Sequence, residues 1–150
     1  MGTTFVGIGD NGFWMRDGVL ELWLRLLALH LEDPADDSSP CDAIRSQWLL
    51  ASRGSFNGCV LLDLGSDIST AAGRKLILEA ITSLRSSLEN SPETLDHHVL
   101  NLLGFSGPFS GNPETWRLID VADAFVDLIE GRVTRTVETT EWMPGSTKRN

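Results

Sequence analysis

The sequence predicts a mainly α-helical single domain, a bundle of about five helices around a central apolar helix at 19–32. A small β element from the N- and C-terminal segments accompanies it. Three observations carry this reading. Val19 to Leu31 is apolar almost without a break. Further stretches repeat apolar residues at the i, i+3, i+4 spacing of a helix face. The 150 residues fit one domain, which at that size buries roughly 70% of the surface its unfolded chain exposes. Such a core needs no disulfide or metal staple.

In order along the chain, Thr3-Thr4-Phe5-Val6 reads as a strand, and Asn11-Gly12 as the two-residue turn of a hairpin. On the helix that follows, Trp23 centres one face with Val19, Leu20, Leu26, Leu27 and His30 around it. Leu22, Leu24, Leu29 and Leu31 widen the apolar arc past half the circumference, and Glu21, Arg25 and Glu32 share the opposite side with Ala28. A helix this apolar is buried between other elements. It is too short and too interrupted by charge to cross a bilayer, which takes about 20 apolar residues.

Asp33-Pro34 ends that helix, and a polar loop runs to Pro40. Ser39 as cap and Pro40 in the first turn open a second helix, which carries Ile44, Trp48 and Ala51 inward, is widened by Leu49 and Leu50, and stops at Gly54. Residues 55–67 fit a short strand or a helical turn equally. Asp67 or Ser69 begins the clearest amphipathic helix, with Leu76, Ile77, Ala80, Ile81, Leu84 and Leu88 on one face. Thr94 to Leu103 reads as a short helix with Leu95, Val99, Leu102 and Leu103 inward. Asn112-Pro113-Glu114 starts the last one, whose core face runs from Trp116 through Ile119, Ala122, Phe125 and Val126 to Ile129, with Gly131 as the stop. The alternation of Val133, Arg135 and Val137 offers a strand to the N-terminal segment, and 144–150 reads as a flexible tail.

The formal net charge of −9 argues against nucleic acid and anionic membranes as partners and favours a basic protein. Cys41 and Cys59 suit free thiols in a reducing compartment. With no secretory leader at the start, the chain is read as cytoplasmic.

Motifs for chemistry are weak. Gly7-Ile-Gly-Asp-Asn-Gly12 has the letters of a dinucleotide fingerprint. That mechanism requires a helix to begin within the glycines, and here Phe13-Trp14 follow at once. Ser106 in Gly104-Phe-Ser-Gly107 misses the nucleophile-elbow spacing by one glycine. Glu93, His97 and Asn101 share a helical face beside His98, without a third strong ligand. No catalytic residue, cofactor or metal site is therefore expected.

Two acidic groups stand out, Asp120, Asp123, Asp127 and Glu130 on the last helix, and Glu32, Asp33, Asp36 and Asp37 in the first long loop. Aromatic residues concentrate in connections: Phe13, Trp14, Phe56, Phe105, Phe109 and Trp142. Loop aromatics are frequent interface anchors. The expected function is thus an acidic protein-binding module docking a basic partner through Trp14, Phe56, Phe105, Phe109, Asp120, Asp123, Asp127 and Glu130. In size and charge this is similar to a toxin-neutralising immunity protein, although no family motif is matched. A small-molecule or enzyme pocket near Trp23 and His30 is the alternative, and a homo-dimer or larger helical scaffold the third reading.

Overall fold

A computed structural model describes residues 2–34, 37–53, 62–105 and 107–146. In chain order it contains β1 (Thr3–Ile8), β2 (Asn11–Arg16), α1 (Asp17–Leu29), α2 (Cys41–Ala51), α3 (Leu64–Asp67), α4 (Ala71–Glu89), α5 (His97–Asn101) and α6 (Thr115–Ile129). The protein is mainly α, about half helical, with one small antiparallel sheet. Among the described residues no helix is long and apolar enough to cross a membrane.

β1 and β2 pair from Thr3 with Arg16 to Ile8 with Asn11. The turn is Gly9-Asp10, one dipeptide earlier than expected. Gly9 takes φ +61° there, the positive φ that a first turn position demands and glycine supplies without strain. Gly12 instead sits within β2, where a Cβ would lie 2.1 Å from the Val6 carbonyl oxygen. The glycines of the fingerprint-like run thus serve a hairpin. Among the described residues both strands come from the N-terminal segment. The C-terminal segment adds a single bridge, Asn11 with Thr136, and the Gly12 N–H donates to Arg135 O at 2.7 Å.

α1 follows β2 directly. The Asp17 carboxylate accepts from the Thr4 hydroxyl at 2.8 Å, and the Asp17 N–H donates to Gly2 O at 3.0 Å, so the hairpin fixes the start of the helix. The helix ends at Leu29 rather than 32, with His30 as C-cap. It packs against α2, α4, α6 and β2. Leu20, Leu22, Trp23, Leu24, Leu27 and Ala28 are buried, and so are Glu21 and Arg25 on the opposite side. Each fully buried leucine is worth about 1.5–3 kcal/mol, so α1 contributes heavily to the core.

α2 starts at Cys41, whose N–H donates to the Ser39 hydroxyl at 3.2 Å. Ile44, Trp48 and Ala51 point inward as their spacing predicts. α4 starts later than expected, capped by Thr70, whose hydroxyl accepts from the Gly73 N–H at 3.1 Å. Ile77, Ala80, Ile81, Leu84 and Leu88 are buried, facing α6 and α1. α6 buries Val121, Ala122, Phe125 and Ile129 among others.

Both α5 and α6 are shorter at their N-termini than the sequence suggests, for one shared reason. Thr94 and Glu114 form an antiparallel bridge, with Leu95 N–H donating to Pro113 O (2.9 Å) and Thr115 N–H to Glu93 O (2.8 Å). The backbone of 93–95 and 113–114 is therefore extended, and the helices begin at His97 and Thr115. Beyond α6, Gly131 takes φ +74° as expected of a helix stop. Val133 and Thr140 are buried. Residues 144–146, the start of the expected flexible tail, dock on α6: Arg117 donates to Gly145 O at 2.8 Å, and the Gly145 N–H donates to Asp120 at 2.8 Å.

Candidate docking face

The described residues among those the sequence predicts for docking lie on β2, on α6 and its C-cap, and in the loop after α5. Trp14 is half-buried on β2, its ring meeting Phe5 edge-on at 5.4 Å and its indole N–H donating to Val137 O at 3.2 Å. It fastens the C-terminal segment to the hairpin. Phe13 and Trp142 likewise fold inward, with ring centroids 5.5 Å apart. Phe56, Cys59, Asp36, Ser106 and Gly54 lie outside the described residues.

The acidic edge of α6 is bound up within the fold. Asp123 accepts from Arg85 of α4 at 2.8 Å, and Arg85 also pairs with Glu89. Asp127 pairs with Arg132 at 2.8 Å, and Glu130 pairs with the same guanidinium. Asp120 receives the Gly145 N–H. The pairing with Asp123 first, burial opposing it, holds the Arg85 guanidinium above its ordinary pKa.

Trp23 is fully buried, with the Phe125 ring 5.4 Å away. His30 is half-buried at the end of α1, its Nδ1 2.9 Å from the Ser83 hydroxyl, and burial lowers its pKa. Surface clefts lie elsewhere. One of about 440 Å³ is lined by Asp127, Arg132, Arg135 and Trp142, and one of about 520 Å³ by Glu89, Glu93, Glu114 and Trp116. Neither is lined by Trp23 or His30.

Phe105 and Phe109 lead elsewhere. Their rings meet edge-on at 5.4 Å. Asn101 pins their loop through two hydrogen bonds with Phe109, from its amide to Phe109 O (2.9 Å) and from the Phe109 N–H to its oxygen (2.8 Å). The Arg25 guanidinium lies over Phe105, 5.1 Å from the ring centroid. It also donates to the Ser52 hydroxyl just beyond α2 at 3.1 Å and to Leu103 O just beyond α5. Arg25 thus ties the ends of α2 and α5 to the middle of α1. Its pKa is lowered, first by burial and then by Arg53, while Glu21 opposes the change.

On α1, α2 and α5 the chain leaves large apolar side chains in water. Leu29 is 68% exposed, Leu49 39% and Leu50 74%, and on α5 and its C-cap Val99 is 61% and Leu102 84% exposed. Leu29, Leu49, Leu50, Val99 and Leu102 all belong to apolar faces that the sequence reading turns inward. α5 is too short to bury more than one direction and uses Leu100 for that, which turns Val99 and Leu102, three apart, outward. Leu29 lies one turn beyond Arg25 on the same side of α1. Leu49 shares the α1-facing side of α2 with Arg45 and Ser52, which donate to Leu31 O and receive Arg25 respectively.

Acidic residues follow α1 and open α2. Glu32, Asp33, Asp37 and Asp42 are exposed where α1 gives way to α2. Asp42 alone of them pairs with a described cation, Arg45 at 2.8 Å. Burial raises the pKa of the Cys41 thiol, Arg45 lowers it, and the charges of Asp33 and Asp42 add to the rise. Cys41 is buried and free, and a thiol held protonated is a poor nucleophile.

Compared with known protein families, curated proteins and solved structures, the chain matches none. The site therefore stands on its geometry.

A further carboxylate behaves differently from all of these. Asp67, at the end of α3, is pushed up to about 6, first by burial, with Asp63 adding to the rise and the Trp48 indole opposing it. That indole N–H faces the carboxylate without full hydrogen-bond geometry. Gln47, with its amide nitrogen turned toward Asp67, donates to both carboxylate oxygens at 2.7 and 3.0 Å.

Proposed function

We propose that the protein is a single-domain binding module, built as a helical bundle around α1, that docks a basic protein partner on the face where α1, α2 and α5 meet. The observations that carry this reading are the exposed apolar side chains Leu29, Leu49, Leu50, Val99 and Leu102 on these helices and their ends, and the exposed carboxylates Glu32, Asp33, Asp37 and Asp42 between α1 and α2 and at the start of α2. An apolar centre with a charged rim is the anatomy of a protein interface. Large exposed apolar patches on a folded chain mark interaction sites. The rim and the net charge of −9 select a cationic partner and oppose association with a second copy of the same chain. Phe105 and Phe109 support the face from behind, through Arg25 and Asn101, rather than forming its centre. A toxin-neutralising inhibitor of a basic enzyme is one protein of this kind.

The test is affinity capture from the host lysate at low and high salt, with mass measurement of the intact complexes. It is run for the wild type and for Leu50→Asp and Leu102→Asp. Both leucines are highly exposed, so the variants keep their fold. A stoichiometric basic partner that salt releases, and that both variants hold at least tenfold more weakly, supports the proposal. A partner bound equally by both variants, or equally at both salt levels, overturns it. A bare protein carrying a small ligand moves the reading to a pocket, and a bare dimer to a homo-oligomer.

A further inference from the structure

The sequence aligns Glu93, His97 and Asn101 on a helix that would begin at Thr94. The helix begins at His97 instead. Glu93 falls in the extended bridge segment, and Asp96 becomes the N-cap. This change of register gathers a different set. One ligand atom from each of Asp96, His97 and His98 lies within 4.8 Å of the others.

Asp96 and His97 are each held so that a ligand atom remains free. Asp96 uses Oδ1 to accept the His98 N–H at 2.8 Å, which fixes its carboxylate over the first turn and leaves Oδ2 available. The Asn112 amide oxygen accepts the His97 N–H at 2.9 Å and stands 2.6 Å from His97 Nδ1. An atom that already receives a backbone N–H is an acceptor, so Nδ1 carries the ring hydrogen and Nε2 keeps its lone pair for a ligand. This is the arrangement of a metal-binding histidine, with the second nitrogen donating to a carbonyl that sets tautomer and orientation. The His98 ring lies against that of His97, centroids 4.0 Å apart and planes 36° apart.

We propose that Asp96, His97 and His98 form a binding site for a divalent transition cation of the zinc type, with Asn112 as positioning residue. Two imidazole nitrogens and one carboxylate oxygen are a borderline donor set that such ions favour over magnesium or calcium. Bonds of about 2.0–2.2 Å in a tetrahedron place ligand atoms roughly 3.4 Å apart. Small side-chain rotations of these surface groups close the remaining distance. Three protein ligands leave a position for water or for a donor from another molecule.

Calorimetric titration of the full chain with Zn²⁺ alone tests this, together with proton NMR of the histidine rings. The wild type binds one equivalent, with resonances of His97 and His98 moving and those of His30 still. His97→Gln and His98→Gln each weaken binding at least tenfold, and Cys41→Ser leaves it unchanged. All these variants retain the wild-type melting temperature within a few degrees, which separates ligand loss from unfolding. No saturable binding below about 1 mM, or saturable binding that both histidine variants retain, overturns the proposal.

Discussion

The acidic edge of α6 and the acidic connection between α1 and α2 look alike in the sequence and differ in what meets them. On α6, Asp123 reaches Arg85, Asp127 and Glu130 share Arg132, and Asp120 takes a backbone N–H from Gly145. Those partners come from α4 and from the segment after α6, so the carboxylates join α6 to its neighbours. In the α1–α2 connection, Glu32, Asp33 and Asp37 are exposed, and Asp42 alone of the group pairs with a described cation. Charge that closes a fold is spoken for internally, whereas charge left in water beside an apolar face remains for a partner.

Breaking the α6 side of this comparison gives the largest change in stability. Asp123→Lys removes the carboxylate that joins α6 to α4 and sets two cations against each other. The pair is partly exposed, and exposed pairs are worth at most about 1 kcal/mol. With repulsion added, the loss is about 1–2 kcal/mol. Urea unfolding measures it, and a second change, Arg85→Glu in the same chain, restores about half or more. A double variant no more stable than Asp123→Lys alone would show that the ion pair does not hold α4 to α6.

Asp67 sharpens the comparison as an acid with neither a cationic partner among the described residues nor full access to water. Its folded pKa of about 6 lies above the ordinary 3.8. Between those values the folded chain holds a proton that the unfolded chain has released. The stability this group contributes is therefore complete below about pH 4 and is lost as the pH rises through about 6. Gln47 and the partial exposure of the site reduce the effect, so Asp67→Asn gains about 1 kcal/mol at pH 7.5. Melting temperatures at pH 4 and pH 7.5 check this. The variant should match the wild type at pH 4 and exceed it at pH 7.5, and an equal difference at both values would assign the effect to packing.

How much of this was legible in the sequence depends on distance along the chain. The inward faces of α4 and α6 follow from spacing alone, because a helix imposes its own period. The buried polar side of α1 does not, because Ser52, Leu103 and Phe105 reach Arg25 from remote segments. The bridge between Thr94 and Glu114 is equally nonlocal. It moved the starts of α5 and α6, turned Val99 and Leu102 outward, and exchanged Glu93 for Asp96 beside the histidines. The hairpin turn shifted for a local reason, since Gly9-Asp10 and Asn11-Gly12 both carry turn chemistry and only cross-strand packing of Val6, Phe13 and Met15 chooses between them. Trp14 looked like a free anchor because nothing in its own segment reveals Val137, more than a hundred residues away.

The smallest change in stability belongs to the other acidic group and decides what the comparison means. Asp33→Lys with Asp37→Lys alters net charge by four units, from −9 to −5. Neither residue pairs with a described cation, and both are exposed. Surface changes of this kind stay within about 0.5 kcal/mol of the wild type, and the melting temperature moves by no more than a few degrees. Association with a basic partner nevertheless slows by at least tenfold at low salt, and the difference shrinks as salt screens the rim. The on-rate carries this signature because rim charges act before contact, whereas Leu50 and Leu102 act after it and govern dissociation. If the loop variant lost several kcal/mol of stability, the Asp33 and Asp37 carboxylates would be serving the fold as those of α6 do, and the apolar face beside them would have no charge to choose its partner.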